Sequence, residues 1–322
     1  MMNDMELTSA FNANLLTLSN ILSLNIQKIN SMSVSKIIKI IKIDALRKTY
    51  NNSVAKLTSD YTNNKNKNNK RALLIGINYN NTPNQLYGCI NDTNNIKNVL
   101  QTKFSYNNFT ILTDLTNKKP TKQNIIKELT SLLVNAKSGD SLFFLYSGHG
   151  TYTIDLNGDE LDGQDEMIVS LDATISDDLI KQIITNNLKK GVKLFMLFDS
   201  CFSGTVVDLK YNYFDNNTTT TTTTTTTTIN SNETNTFGQV IMISGCKDSQ
   251  TSADAVVRLN NATTYSGAMT YSFLKTIKDL GTKITYTQLL KNMRTILATD
   301  GYDQIPQLSS GILIDPNTFI SI

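Results

Sequence analysis

The stretch Ser141-Leu-Phe-Phe-Leu-Tyr-Ser-Gly-His-Gly150 decides how the chain folds. Its first six residues are nearly all apolar, a run short enough for a strand buried on both faces. It then breaks into a Ser-Gly-His-Gly cluster. A second stretch, Val192-Lys-Leu-Phe-Met-Leu-Phe-Asp-Ser-Cys-Phe-Ser-Gly204, repeats the pattern of an apolar run ending in a polar, glycine-bearing cluster. Between them Asp177 to Leu188 has helical spacing. Upstream, Ala72 to Asn78 and Phe109 to Leu112 read as strands and Asp92 to Lys103 as a helix. Thr121 to Ala136 is a helix with Thr121 as N-cap and Gly139 after its end. Downstream come a strand at Val240 to Ser244, a helix near Gly267 to Lys278, and a helix after Thr285 ending near Thr299. Strands alternating with helical segments imply βαβ units and a parallel sheet. Right-handed crossovers place helices on both of its faces, and function gathers at the carboxyl ends of its strands.

The 322 residues, 39% hydrophobic, suffice for one large domain plus an appendage. The net charge of +3 is too small to argue for nucleic acid. It is unevenly spread: residues 1–70 carry ten Lys/Arg against four Asp/Glu, leaving the remainder mildly acidic. Three scattered cysteines (Cys89, Cys201, Cys246) exclude a disulfide framework and a zinc site. No apolar stretch is long enough to span a bilayer, and no secretory signal is evident. A cytoplasmic protein is expected.

Residues 1–70 read as a basic, helical extension ending in a polar linker at Asn63 to Lys70. Apolar patches at Leu15 to Leu24 and Ile37 to Ile43, the second interrupted by Lys39 and Lys42, suit packing within the chain, a partner or a membrane surface. The run Thr218 to Thr228 is low complexity, and residues 210–236 are expected to form a disordered loop.

The chemistry sits at the two strand ends. If these strands are parallel neighbours, His149, the only histidine, and Cys201 emerge at one edge of the sheet. A thiol beside an imidazole is a nucleophile with its base. The N–H groups of Gly150 and Cys201 are candidates for an oxyanion hole.

Taken in order, Arg71 to Asn78, Gly88-Cys-Ile-Asn-Asp92, Tyr146-Ser-Gly-His-Gly150, Asp162-Gly-Gln-Asp-Glu166, Asp199-Ser-Cys-Phe-Ser-Gly204, Ser244-Gly-Cys-Lys-Asp248 with Gln250-Thr-Ser-Ala-Asp254, and Gly267-Ala-Met269 resemble the metacaspases. The resemblance covers residues 71–312. It implies the α/β caspase–haemoglobinase fold: three layers, a mainly parallel central sheet flanked by helices. A large-subunit-like part would span 71–209 and a small-subunit-like part 237–312, with 313–322 as a tail. It also implies His149 as base and Cys201 as nucleophile of an endopeptidase that cleaves after Arg or Lys. Asp92 and Asp199 match the family's acidic S1 pocket, with Cys89 and Ser147 on its walls; Asp92 also reads as a helix N-cap. No third member of the catalytic group is evident.

The acidic stretch from Asp155 to Asp178 suits hard oxygen coordination of Ca²⁺. It is not an EF-hand, because Glu160 stands where that loop needs glycine. The resemblance implies an activating Ca²⁺ held by Asp165, Glu166, Asp177 and Asp178. Where many metacaspases carry a second histidine after the nucleophile, this chain has Phe202. Basic residues in segments expected to be exposed, Lys210 and Lys65, Lys67, Lys70 and Arg71, are candidate self-cleavage sites. Peptide substrates with a basic P1 residue are the expected partners, and the family tends to monomers.

Overall fold

The structure is a computed structural model, and it describes residues 4–65, 69–154, 164–200, 207–215, 225–231, 233–244, 254–259 and 262–322. The chain divides into two compact units, Met1–Asn68 and Asn69–Ile322.

The first unit is a helical hairpin of α1 (Asp4–Asn30) and α2 (Lys36–Lys65). Each helix offers its partner one face. Phe11 stacks on Tyr61 at 4.3 Å, and Ile29 is the buried residue near the turn. The linker expected from Asn63 therefore starts later, because α2 continues to Lys65.

The second unit runs β1 (Lys70–Gly76), α3 (Cys89–Lys103), β2 (Asn108–Thr113), α4 (Lys122–Val134) and β3 (Ser141–Ser147). There follow β4 (Gly150–Ile154), β5 (Gln164–Val169), β6 (Thr174–Ser176), α5 (Asp177–Asn187) and β7 (Lys193–Asp199). The chain continues through β8 (Tyr211–Asp215), β9 (Thr225–Ile229), β10 (Gln239–Ser244), β11 (Asp254–Leu259) and β12 (Ala262–Gly267). It closes with α6 (Ala268–Leu280), α7 (Tyr286–Thr299) and β13 (Gln307–Ser310). The main sheet has the order β2-β1-β3-β7-β10-β13-β8-β9. Its first five strands are parallel, and the last three alternate in direction.

Period-2 alternation in the central strands builds two cores, one on each face. Leu142, Phe144 and Tyr146 of β3 join Met196 and Phe198 of β7 beneath α4 and α5. Phe143 and Leu145 join Phe195 and Leu197 against α6 and α7. The three layers of the caspase–haemoglobinase-like fold are thus present. Helix starts follow the capping residues: Thr121 caps α4, Ser176 caps α5, and Thr285 forms a capping box with Gln288 on α7.

Two expectations are corrected. The segment 210–236 is not loop throughout, since β8 and β9 pair antiparallel at the edge of the main sheet. β8 is rich in aromatic residues and β9 in β-branched threonine, and both residue types favour strands. Residues 313–322 are not a loose tail. Ile322 is buried in the second core, Ile320 N–H donates to the Ile284 carbonyl, and Lys70 Nζ reaches the Ile322 carbonyl at 2.8 Å.

Candidate active site

β3 and β7 are parallel neighbours, and their register pairs Ser147 with Asp199. His149 follows Ser147 by two residues and Cys201 follows Asp199 by two. Cys201, like Phe202, lies outside the described residues, as do Asp155, Asn157, Asp159 and Asp162.

His149 is held from three sides. Its ring Nε2 is 2.7 Å from the Asn84 carbonyl oxygen. A carbonyl only accepts, so Nε2 carries the proton and Nδ1 is left as the basic nitrogen. The ring lies against Tyr79, centroids 4.7 Å apart. His149 N–H donates to the Tyr79 hydroxyl at 3.0 Å, and its carbonyl accepts from the Tyr146 hydroxyl at 2.6 Å. Tyr79 in turn donates to the Val169 carbonyl at 2.6 Å. Burial pushes both phenols well up, so they stay protonated. Asn84, whose contribution is a backbone atom, carried no signal in the sequence. Tyr79 gave none either, sitting past the end of a strand.

Gly148 is glycine because a Cβ there would lie 2.8 Å from the Tyr146 hydroxyl and 2.9 Å from that of Tyr79. Gly150 opens β4 opposite Ile168. The adjoining bond from Val169 N–H to the His149 carbonyl, at 3.0 Å, makes Gly150 a non-hydrogen-bonded ladder position. Its N–H therefore points out of that ladder, as an oxyanion donor requires.

The expected S1 residues converge. Period 2 puts Ser147 and Asp199 on the α3 and α6 side of the sheet, where Cys89 and Asp92 stand one turn apart on α3. Asp92 is fully buried and accepts from Ser147 Oγ at 2.7 Å, Ser266 Oγ at 2.5 Å and the Gly267 N–H at 3.0 Å. Asp199 is buried and accepts from the Thr270 N–H at 2.7 Å. Burial, then the negative charge of Asp199, holds the Asp92 carboxyl well above the usual carboxylate range. A Cβ on Gly267 would strike the Asp199 carboxylate. Asp92 is not the N-cap: α3 starts at Cys89 with Gly88 as its cap. The bonds that Ser266, Gly267 and Thr270 make to the two carboxylates were not foreseen; their β12–α6 junction had shown only as the Gly-Ala-Met motif.

The acidic residues also gather, but not as expected. Carboxylate oxygens of Asp177, Asp178 and Asp208 lie within 4.8 Å of one another. Asp177 accepts from the Glu166 N–H at 2.8 Å and bonds the Glu166 side chain as well. Burial lifts Asp177 to about 6. Asp165 does not belong to this group: neighbours on a strand point to opposite faces, and the buried one is Glu166. Asp208 enters from the chain past β7, far in sequence from the acidic stretch. Three carboxylates this close, two of them buried, suit a hard cation, whose ligands stand about 2.3–2.6 Å from it.

Lys70 and Arg71 are corrected as cleavage candidates. Both are ladder residues of β1, paired with Ser141 and Leu142, and Arg71 also bonds the Leu132 carbonyl at 3.1 Å. The Lys210 carbonyl accepts from the Asn230 N–H at the base of the β8–β9 hairpin.

Comparison with known proteins gives the family. Residues 70–210 match the family described as metacaspase, peptidase C14 domain. Metacaspase-1 of Meyerozyma guilliermondii is 40% identical over 296 residues, covering 77% of this chain and 71% of that one. Metacaspase-1 of Saccharomyces cerevisiae is 38% identical over 298 residues, covering 77% and 68%. Among solved structures, a Geobacter sulfurreducens protein superposes with a TM-score of 0.55 at 22% identity, covering 79% of this chain and all of that one, a likeness of fold. The chain belongs to the metacaspase family of cysteine peptidases.

Proposed function

We propose that this metacaspase is a Ca²⁺-stimulated endopeptidase that cleaves after Arg or Lys, with Cys201 as nucleophile and His149 as base. One observation carries the reading: Ser147 stands two residues before His149 and donates to Asp92 at 2.7 Å. The base and the acidic pocket are thereby built on one strand end. Nδ1 of His149 takes the thiol proton, and the thiolate attacks the scissile carbonyl. The N–H groups of Gly150 and Cys201 receive the developing oxyanion. The imidazolium then protonates the leaving amine, and water attacks the acyl-enzyme in the reverse sense. Asp92 and Asp199 hold the P1 cation, which supplies the counter-charge that a proton supplies in the free enzyme.

Glu166, Asp177, Asp178 and Asp208 would hold the Ca²⁺. Bound there, the ion would neutralise the cluster and tie α5 to the chain that follows Cys201.

The test is hydrolysis of fluorogenic peptides with P1 Arg, Lys, Asn or Asp, in Ca²⁺ and in chelator. Turnover of Arg and Lys peptides, raised by Ca²⁺, is expected. Turnover confined to Asn or Asp peptides contradicts the reading.

A further inference from the structure

The first two turns of α2 carry an apolar face that the hairpin does not use. Ile37, Ile38, Ile40 and Ile41 fall within about 160° of the helix circumference at 100° per residue. All four are exposed, Ile37 by 71% and Ile41 by 62%, and Val34 in the adjoining turn is exposed with them. The seam of the hairpin takes the other side of α2, through Lys39, Ile43 and Leu46. Lys39 Nζ crosses the turn to the Asn30 carbonyl at 2.7 Å, and Lys42 Nζ lies 3.8 Å from Met32 Sδ. A helix that only had to pack in a hairpin would turn its isoleucines to the seam and its lysines to water. At its amino end this one leaves four isoleucines in water and bends Lys39 to the turn, with Lys36 and Lys42 exposed beside them.

Charge selects what covers that face. From residue 28 to residue 43 the chain holds Lys28, Lys36, Lys39 and Lys42 and no acidic residue. Residues 1–68 together carry nine basic against four acidic side chains, a net +5. A second copy would bring +5 against +5. Aliphatic side chains without aromatic or polar directionality, ringed by lysines, match a fluid hydrocarbon boundary below phosphate headgroups. Neither helix is long and apolar enough to cross a membrane; four isoleucines over two turns reach the acyl boundary and no further.

We propose that the turn end of this hairpin, Val34 to Lys42, is a reversible docking site for an anionic lipid surface. A single apolar patch with a few lysines gives weak, salt-sensitive binding, which suits recruitment and not permanent anchoring. The proposal is independent of the catalytic reading, because it needs no residue of the second unit.

The experiment is co-sedimentation of the full chain, carrying Cys201→Ala to prevent self-cleavage, with vesicles of phosphatidylcholine alone or with added phosphatidylserine. Pelleting with the phosphatidylserine vesicles and not the neutral ones is expected. I37N/I41N should abolish it, and K28E/K36E should weaken it by well over the roughly fivefold of one lost charge. All four side chains are exposed, and circular dichroism checks that the helices remain. No pelleting, equal pelleting with neutral vesicles, or full binding by I37N/I41N would overturn the proposal. So would a lipid-free dimer in sedimentation velocity that I37N/I41N dissociates, which would give the face to a second copy.

Discussion

The His149 ring is fixed by a main-chain atom: its Nε2 lies 2.7 Å from the Asn84 carbonyl oxygen. In the proposed Cys201–His149 pair, the orienting partner that acidic side chains provide in other catalytic groups is a peptide carbonyl from the turn after β1. Tyr79 completes the mount, its ring tilted against the imidazole while its hydroxyl accepts the His149 N–H.

Tyr79→Phe keeps the ring contact and removes the hydroxyl. The His149 N–H then loses its partner in a half-buried place, a cost of about 1–3 kcal/mol. We expect kcat to fall roughly tenfold with KM nearly unchanged. A steady-state comparison on one P1 Arg peptide checks this, and an equal rise in KM would show that the residue acts on binding instead.

Gly148→Ala is the sharper disturbance. The new methyl would press on both phenols that fix His149, at 2.8 and 2.9 Å. Carbon atoms do not sit that close to oxygen without displacement. Activity should drop more than in Tyr79→Phe, while the thermal midpoint falls by only a few degrees, about what 1–3 kcal/mol of overpacking gives.

Asp92→Asn separates specificity from stability. Folded Asp92 holds its proton to higher pH than the unfolded chain, where a carboxyl titrates near 4. The sign follows from that: its contribution is fully present below about pH 4 and is lost as pH rises through the raised folded value. The neutral amide escapes this loss. Melting curves should therefore show Asp92→Asn gaining on the parent as pH rises from about 5 to about 8, while kcat/KM for P1 Arg peptides falls at least about a hundredfold. A variant that keeps its Arg preference would remove Asp92 from the pocket.

Asp208→Asn tests the cation site through the ligand that the sequence did not announce. It should raise the Ca²⁺ concentration for half-maximal activation about tenfold. The Ca²⁺-induced rise in melting temperature should shift in parallel, a readout separate from activity. Asp165→Asn, on the opposite face of β5, should change neither.

Self-cleavage should respect the ladder. Lys70 and Arg71 are paired in β1, where a protease cannot take an extended segment. If the enzyme processes itself, mass spectrometry should find new termini after Lys65 or Lys67, absent from Cys201→Ala. Cuts after Lys70 or Arg71 would contradict the placement.

Much of this was legible in advance, for identifiable reasons. The runs at Ser141 to Tyr146 and Val192 to Phe198 are apolar on both faces, and only a central parallel strand buries both. That reading places Ser147 beside Asp199. Thr121 and Thr285 announced helix starts through side-chain chemistry that acts within one turn. The misses are of another kind. The Asn84 carbonyl is a backbone group present at every residue, so no side chain marks it. Asp208 joins Asp177 only through tertiary folding across β7. Asp165 stood beside Glu166 in the set implied by the family resemblance, which takes no account of the alternation that sends adjacent strand residues apart. The Thr-rich run misled because composition says nothing about the sheet edge on which β8 and β9 lie.

The central claim is that Cys201 attacks the carbonyl of a basic P1 residue with help from His149. The most direct measurement is labelling by an irreversible peptidyl-arginine chloromethyl ketone, with the adduct mapped by mass spectrometry. The account predicts one adduct, on Cys201, slowed severely by His149→Ala and by Asp92→Asn. An adduct on Cys89 or Cys246, or none from folded, Ca²⁺-supplied protein, would contradict it.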